Sequence, residues 1–214
     1  LLEELNTEIP NYRIEETKNL VSILGNEVVE EFPWKNGMKP STDDNVEGVL
    51  RRTWRPALSI VGSDGMPSTA NAGNVLRPYT TLQLSMRIPP MVDPKKAVNA
   101  IKKILKDDIP YGAFVELKFE EAAEGWNAPE SETWLLNAIE KASKKYFNEM
   151  PCTIGEGGTI PFMAMLGKQF PKAQFVITGV LGPQSNAHGP NEFLHIPFAK
   201  NLTCCISSII TDFG

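Results

Sequence analysis

The spacing of hydrophobic residues predicts an interrupted helix near the N-terminus of the chain. Apolar positions between residues 14 and 31 recur at helical spacing, and Gly25 interrupts them. Residues 33–45 contain Gly, Pro, Ser and Asp without any hydrophobic period, which is typical of a loop. The sequence therefore begins with a broken helix and a flexible connection.

A compact α+β pattern follows this loop. Residues 57–61 have the composition of a β-strand, and residues 81–88 alternate strictly between apolar and polar side chains. Asp93 can cap a helix whose first residue is Pro94, and an apolar stripe follows at helical spacing. Residues 115–119 alternate again and predict a third strand. Strands packed beneath one helix would form a small open-faced sandwich.

The pattern changes after a break at residues 121–129. Helical stripes are predicted from residue 134 to residue 142, from 162 to 166 and from 198 to 209. Between them, residues 175–180 are almost entirely apolar, which is typical of a strand covered on both faces. One such strand cannot form a parallel sheet by itself, so the pattern predicts part of an α/β layer whose other strands come from elsewhere.

Two short stretches near the C-terminus carry candidate chemistry. Residues 155–161 read Gly-Glu-Gly-Gly-Thr-Ile-Pro, which would leave backbone N–H groups free at the start of a helix, where they can bind an anion. Residues 182–192 place His188 on a polar loop with Glu192 four positions later, which suits a metal ligand with an orienting carboxylate. The ordinary alternatives are plain helix capping for the first stretch and a surface imidazole for the second.

Together these stretches resemble the co-catalytic zinc metallopeptidases of the aminoacylase/carnosinase/succinyl-diaminopimelate desuccinylase superfamily. The resemblance is to the branch of carnosinase and cytosolic nonspecific dipeptidase, in which a Glu-Gly-Gly-Ser-Ile-Pro loop binds substrate and an Ala-His supplies the last zinc ligand. Residues 54–62, 74–76 and 82–89 also resemble elements of that family's lid. The similarity extends from about Arg51 to the C-terminus.

The resemblance implies a fold and a domain division. It implies an α/β protein in which an α+β open-faced sandwich, the lid or dimerisation domain, occupies residues 1–122. The C-terminal portion of an α/β zinc-peptidase catalytic domain would then occupy residues 123–214. The remaining strands of that domain belong to its N-terminal half in the family.

The resemblance also implies roles for individual residues. His188 would be a zinc ligand, in an enzyme that holds two zinc ions when complete. Arg87 would bind the terminal carboxylate of a peptide, and Asn74 would lie near a substrate oxygen, often in the site of the partner subunit. An exposed strand arginine and an ordinary turn residue are the alternatives for these two. The expected substrate-binding residues are Arg87, Asn74, Glu156, Gly157, Gly158 and Thr159.

Several features of the family are not found in the sequence. The family's early His-x-Asp and its Glu-Glu pair, which includes the general base, have no match, and the chain has two histidines. The second, His195, precedes a helix and is interpreted as a helix-entry residue. Gly155 stands where the dipeptidase branch has an arginine that helps to hold substrate. We therefore expect no catalytic residue in this chain, and no activity from the chain alone.

Composition limits the partners and the compartment. A net charge of −5 argues against a nucleic-acid partner, and no apolar run reaches the roughly 18 residues of a membrane span. Three sparse cysteines indicate a reducing, cytoplasmic location.

These observations predict part of a zinc-dependent metallopeptidase, homodimeric through its lid, that hydrolyses dipeptides or N-acyl amino acids. The alternatives are a non-catalytic dimerisation or binding module and a deacylase of the same superfamily.

Overall fold

The computed structural model describes residues 2–156 and 161–213. Three short 3-10 turns accompany the regular elements, at Glu3–Leu5, Thr69–Asn71 and Pro110–Gly112. In chain order, the helices and strands of the described residues are α1 (Asn11–Leu24), α2 (Glu27–Glu30), α3 (Asn45–Thr53), β1 (Ala57–Asp64), β2 (Thr81–Arg87), α4 (Pro94–Lys106), α5 (Thr133–Phe147), α6 (Pro161–Gln169) and α7 (Ile196–Phe213).

The chain divides into two compact units, each built from separate stretches of sequence. The first, here called the ribbon unit, comprises Leu1–Pro10, Val49–Trp126 and Gly155–Pro161. The second, the helical unit, comprises Asn11–Gly48, Asn127–Ile154 and Phe162–Gly214. The predicted boundary after residue 122 lies close to the change of unit at Trp126, while residues 11–48 group with the C-terminal stretches. The division into a lid and a catalytic domain stays a prediction.

An antiparallel pair of strands, β1 and β2, forms the centre of the ribbon unit. Leu58 lies opposite Met86 and Ile60 opposite Leu84, and the register shifts once just after Ile60. Because directly opposed residues share a face, one face of the ribbon is apolar and the other carries polar residues, including Arg87. The two predicted strands and the alternation of β2 are thus confirmed.

Helix α4 begins as predicted. The Asp93 carboxylate accepts hydrogen bonds from the backbone N–H groups of Lys95 and Lys96, and Pro94 occupies the first turn. Ala97 is buried in a small cluster with Leu5 and Val92. Partly buried residues complete this cluster, namely Leu2, Met86, Ile88 and Ile101. The helix therefore covers the Met86 end of the ribbon, whereas the predicted apolar stripe ends in two exposed residues, Ile104 and Leu105.

The predicted strand at residues 115–119 is wrong in this structure. No described residue forms a β-ladder with it, and a strand requires such a partner. Glu116 and Lys118 form an exposed ion pair of 3.5 Å, and the Lys102 ammonium lies 4.7 Å from the centre of the Phe119 ring. The segment therefore lies beside α4 without joining the sheet.

The helical unit contains the larger of the two buried apolar clusters found among the described residues, between α5 and α7. A hydrogen bond of 3.1 Å between the hydroxyls of Tyr146 and Ser208 crosses this helix pair, and Lys141 pairs with Asp212 at 3.0 Å. The buried members of the core are Leu135, Ala138, Ala142, Cys205 and Ile209. Both helices and the apolar stripe of α5 were predicted from sequence.

Side chains of helix α1 bond to the beginning of another stretch of the helical unit, at Asn127 and Ala128. Arg13 donates to the side-chain carbonyl of Asn127 at 3.0 Å and to the backbone carbonyl of Ala128 at 2.6 Å, and it pairs with Glu16 at 2.7 Å. Asn127 in turn donates to the Tyr12 hydroxyl at 2.8 Å. These bonds join two stretches more than a hundred residues apart in sequence and explain why residues 11–48 belong to this unit.

The predicted buried strand at residues 175–180 is also wrong. The structure shows no β-ladder there, and Val176 and Ile177 are exposed. The apolar composition was correct for a covered strand, but within the described residues no neighbouring strand supplies the hydrogen bonds that would define one.

Other predictions near the N-terminus were correct, with one omission. The broken helix is α1 followed by α2, and Gly25 between them has φ +57°. Helix α3 was missed, although Asp44 caps it through a 2.9 Å bond from the Val46 N–H. No helix among the described residues is long and apolar enough to cross a membrane, and the cysteines are free thiols.

Candidate functional site

His188 lies on an exposed loop of the helical unit, between the apolar segment 175–180 and helix α7. Its backbone has φ +62°, in the left-handed region, and its side chain is exposed. No described residue hydrogen-bonds to its ring nitrogens. The imidazole is therefore accessible to a ligand, as the sequence predicted; its role as a zinc ligand stays a prediction.

Glu192 contacts the backbone of His188 rather than its ring. One carboxylate oxygen accepts the His188 backbone N–H at 3.2 Å. The predicted orienting carboxylate is thus present, and it acts on the main chain of the loop. Metal-bound histidines often donate their second ring N–H to a carboxylate, and this geometry differs from that arrangement.

Arg87 lies at the end of β2, on the polar face of the ribbon opposite Ala57. Its side chain is exposed, and no described residue pairs with its guanidinium. A free guanidinium in this position can form two parallel hydrogen bonds to a carboxylate. The geometry is compatible with the predicted substrate role and leaves that role untested.

Asn74 lies in the connection between β1 and β2. A hydrogen bond of 2.9 Å from the Val75 N–H to the Gly73 carbonyl makes a tight bend at Asn74, and its side chain is exposed. This is the geometry of a turn residue, and it also leaves the amide free to contact another molecule.

The loop before α6 is described as far as Glu156, which is exposed. Three predicted pocket residues, Gly157, Gly158 and Thr159, and the predicted anion cradle lie outside the described residues. Gly155 packs closely on Thr53: a Cβ added at Gly155 would lie 3.1 Å from the Thr53 methyl carbon and 3.3 Å from its Cβ. The missing arginine at this position therefore coincides with space that Thr53 already fills.

The described residues do not make a metal centre by themselves. Among them, no group of three or more His, Cys, Asp or Glu side chains is placed to hold an ion. His195 accepts the Phe198 backbone N–H on its Nδ1 at 3.2 Å and so caps α7, as expected of a helix-entry residue. Of the two histidines, His188 is the one whose ring makes no hydrogen bond to a described residue.

Comparison with known proteins gives the chain a family. No family model matches it. A curated cysteinylglycine-S-conjugate dipeptidase from Corynebacterium striatum is 31% identical over 159 residues, which are 68% of this chain and 33% of that protein. The chain therefore spans about a third of the length of this relative.

Solved structures share the fold over nearly the whole chain. An M20 family metallo-carboxypeptidase from Sulfolobus solfataricus matches 96% of this chain and 46% of its own, with a TM-score of 0.71 and 19% identity. Human carnosine dipeptidase 1 matches 98% and 44%, with a TM-score of 0.67 and 17% identity. The dipeptidase Dug1p from Saccharomyces cerevisiae matches 100% and 44%, with a TM-score of 0.69 and 20% identity.

The chain belongs to the M20 peptidase family and corresponds to a little under half of these solved structures. The family resemblance read from the sequence is thereby confirmed. The predicted fold class is confirmed as well, because the structural neighbours share this combination of a small sheet with several helices.

Two residues of the site were missed by sequence reasoning. Thr53 carries no sequence signal for a contact with Gly155, since 102 positions separate them. Asn186 could have been found, because Asn is one of the few residues that readily adopts left-handed backbone, and it precedes His188 by two positions. Its side-chain amide bridges the loop by donating a hydrogen bond to the Pro190 carbonyl.

Proposed function

We propose that this chain forms the lid and the C-terminal catalytic segment of a metal-dependent dipeptidase. The observation that carries the proposal is the 31% identity to a cysteinylglycine-S-conjugate dipeptidase, which covers 68% of the chain. The exposed imidazole of His188 offers one metal ligand, and the unpaired guanidinium of Arg87 offers a group that can bind a carboxylate. The substrate class is a short peptide with a free carboxylate.

The metal is proposed to be zinc, with two ions in the complete enzyme. His188 offers an imidazole, a ligand that zinc commonly takes. Since the described residues lack a ligand cluster, the other ligands and the general base come from outside this sequence. Zinc bound in such a centre lowers the pKa of a water molecule and polarises a carbonyl.

The substrate contacts are proposed to come from the lid and from the first of the two C-terminal motifs, at residues 155–161. Arg87 binds the terminal carboxylate of the peptide. Asn74 contacts a substrate oxygen in the site of the partner subunit, in a homodimer formed through the lid. Glu156, Gly157, Gly158 and Thr159 line the pocket. A cytoplasmic location fits the free cysteines.

The histidines provide a matched pair of variants for a test in the complete enzyme. His188→Ala should lower dipeptide hydrolysis by at least about 100-fold and reduce the bound zinc, because a ligand is lost. His195→Ala should retain both, since His195 caps a helix. Retention of zinc and activity by His188→Ala would contradict the proposal.

The 214-residue chain alone should hydrolyse no dipeptide, even with added zinc. Its described residues contain no metal cluster. The second candidate function is a non-catalytic dimerisation or binding module. A complete protein that binds zinc and peptide without turnover would establish that alternative, and turnover by the chain alone would refute both.

A variant of Arg87 tests whether this side chain binds the substrate carboxylate or is an ordinary exposed arginine of the strand. Arg87→Ala should lower kcat/KM for dipeptides by roughly 10- to 100-fold, as expected for the loss of charge-assisted hydrogen bonds. Arg77→Ala, on the exposed connection of the same unit, is the control and should have little effect. Comparison of a dipeptide with an N-acyl amino acid as substrate would distinguish a dipeptidase from a deacylase of the same superfamily.

A further inference from the structure

The loop that carries His188 has an unusual backbone. Four of its non-glycine residues have positive φ, namely Gln184 (+65°), Asn186 (+55°), His188 (+62°) and Asn191 (+60°). Left-handed backbone is less favourable than right-handed backbone for an L-residue, because its Cβ then lies too close to the following carbonyl oxygen. Such a concentration of strain within eight residues persists only where other contacts determine the conformation.

Hydrogen bonds within the loop supply those contacts at its base. Ser185 is buried, and its hydroxyl donates to the Gly182 carbonyl while accepting the Gly182 N–H at 3.2 Å. The backbone N–H of Phe193 donates to the Ser185 carbonyl at 3.2 Å. Both ends of the loop are thus joined through a single buried serine.

Asn186 closes the tip of the loop on one side of His188. The side-chain amide of Asn186 donates to the Pro190 carbonyl at 2.6 Å. The backbone carbonyl of Asn186 accepts the Gly189 N–H at 2.9 Å. The amide fills the space beside Gly189, where an added Cβ would lie 2.6–2.8 Å from the Asn186 side chain. The hydrogen bond from Asn186 to Pro190 therefore requires a residue without a side chain at position 189.

Glu192 closes the other side. Its carboxylate accepts the His188 N–H at 3.2 Å, so Glu192 contacts the His188 main chain directly, while Asn186 acts on it through the neighbouring Gly189 and Pro190. The imidazole itself takes no part in these bonds among the described residues. The loop fixes the backbone and leaves the ring free.

We propose that Asn186 and Glu192 are positioning residues, which hold the His188 main chain in its left-handed conformation and present the imidazole before a ligand binds. The inference rests on the proposed function, since it explains how His188 is offered as a ligand. Neither residue would touch the metal or the substrate.

The test uses amide hydrogen exchange of the 214-residue chain, measured by NMR. Asn186→Gly keeps the freedom to adopt positive φ and removes the bridge to Pro190, so the amides of His188 and Gly189 should exchange about 5- to 10-fold faster. Asn191→Gly is the matched control. Asn191 also has positive φ, but no described residue bonds to its side chain, and its variant should leave both exchange rates unchanged.

Two variants of Glu192 distinguish the effect of its negative charge from the effect of its hydrogen bond to the His188 N–H. Glu192→Gln keeps an oxygen acceptor for the His188 N–H and should preserve slow exchange, whereas Glu192→Ala should accelerate it about 5- to 10-fold. Gly189→Ala should reproduce the effect of Asn186→Gly, because the new methyl group would displace the Asn186 amide. Equal exchange in Asn186→Gly and Asn191→Gly, or in Glu192→Ala and Glu192→Gln, would overturn the proposal.

Zinc affinity of the complete enzyme distinguishes failure of this inference from failure of the proposed function. Loss of outer contacts to a metal ligand typically lowers metal affinity 10- to 100-fold, so Asn186→Gly should weaken zinc binding at least about 10-fold and Asn191→Gly should not. If His188→Ala loses zinc while Asn186→Gly changes neither exchange nor affinity, the positioning role is wrong and the metal role stands. If the exchange rates respond as expected but His188→Ala retains zinc, the loop geometry stands and the proposed function is wrong.

Discussion

The α5–α7 pair and the β1–β2 ribbon differ in how far they bury their apolar residues. Leu135 in α5 is 1% exposed, and its neighbours across the pair are buried with it. In the ribbon, Leu58 is 57% exposed and Ile60 is 63% exposed, although both lie on the apolar face. Similar residues are therefore core in one region and surface in the other.

The difference follows from where each kind of element finds its hydrogen bonds. The backbone hydrogen bonds of a helix are formed within the helix itself. Two helices of one chain can therefore bury their apolar stripes against each other without any further element. A strand needs neighbours on its edges and a layer on its apolar face. Within the described residues, each strand of the ribbon pairs with the other along one edge only, and α4 covers only the Met86 end of the apolar face.

The largest effect should come from truncation in the helix pair. Leu135→Ala removes a fully buried side chain and should lower the free energy of unfolding by about 2–5 kcal/mol. Leu84→Ala, on the exposed face of the ribbon, should cost less than about 1 kcal/mol. Urea denaturation followed by circular dichroism measures both, and equal losses would show that the ribbon face is covered in solution.

A second test asks whether the connection between β1 and β2 has a defined conformation, although the apolar face of the ribbon is exposed. Gly65 follows β1 with φ +78°, and an added Cβ would lie 2.4 Å from the Tyr79 carbonyl oxygen. Gly65→Ala should therefore destabilise the ribbon unit by at least about 1–3 kcal/mol from backbone strain. Gly73→Ala, in the same connection with no atom near the added methyl, should be close to neutral. A neutral Gly65→Ala would mean that the connection is not formed as described.

A third test concerns how α1 joins the helical unit. Arg13→Lys keeps the charge and loses the planar fork that contacts Asn127, Ala128 and Glu16, so a loss of about 1–3 kcal/mol is expected. Lys18→Ala removes an exposed ion pair on the same helix and should change stability by less than about 0.5 kcal/mol. If both variants behave alike, α1 is attached by its apolar residues instead.

The same contrast explains which elements the sequence could predict. Helices α4, α5 and α7 have local signals, namely a cap at Asp93 and stripes of apolar residues, and they were found. Residues 115–119 and 175–180 have the composition of strands, but strand formation depends on partners that composition cannot show. The exposed loop position of His188 could be predicted from the polar residues around it, whereas the contact between Gly155 and Thr53 depends on the fold.

The smallest expected effect tests that last contact. A methyl group at position 155 would lie 3.1 Å from the Thr53 methyl carbon, which is tighter than an ordinary contact, so the neighbour must move by a few tenths of an ångström. Gly155→Ala should cost about 1 kcal/mol, the lower end of the range for overpacking. Thr53→Ser removes the nearest carbon and retains the hydroxyl that donates to the Val49 carbonyl at 2.8 Å. The double variant should therefore recover part of the loss, while Gly179→Ala, with nothing near the added methyl, serves as the control. Additive losses in the double variant would show that Thr53 does not limit the side chain at position 155.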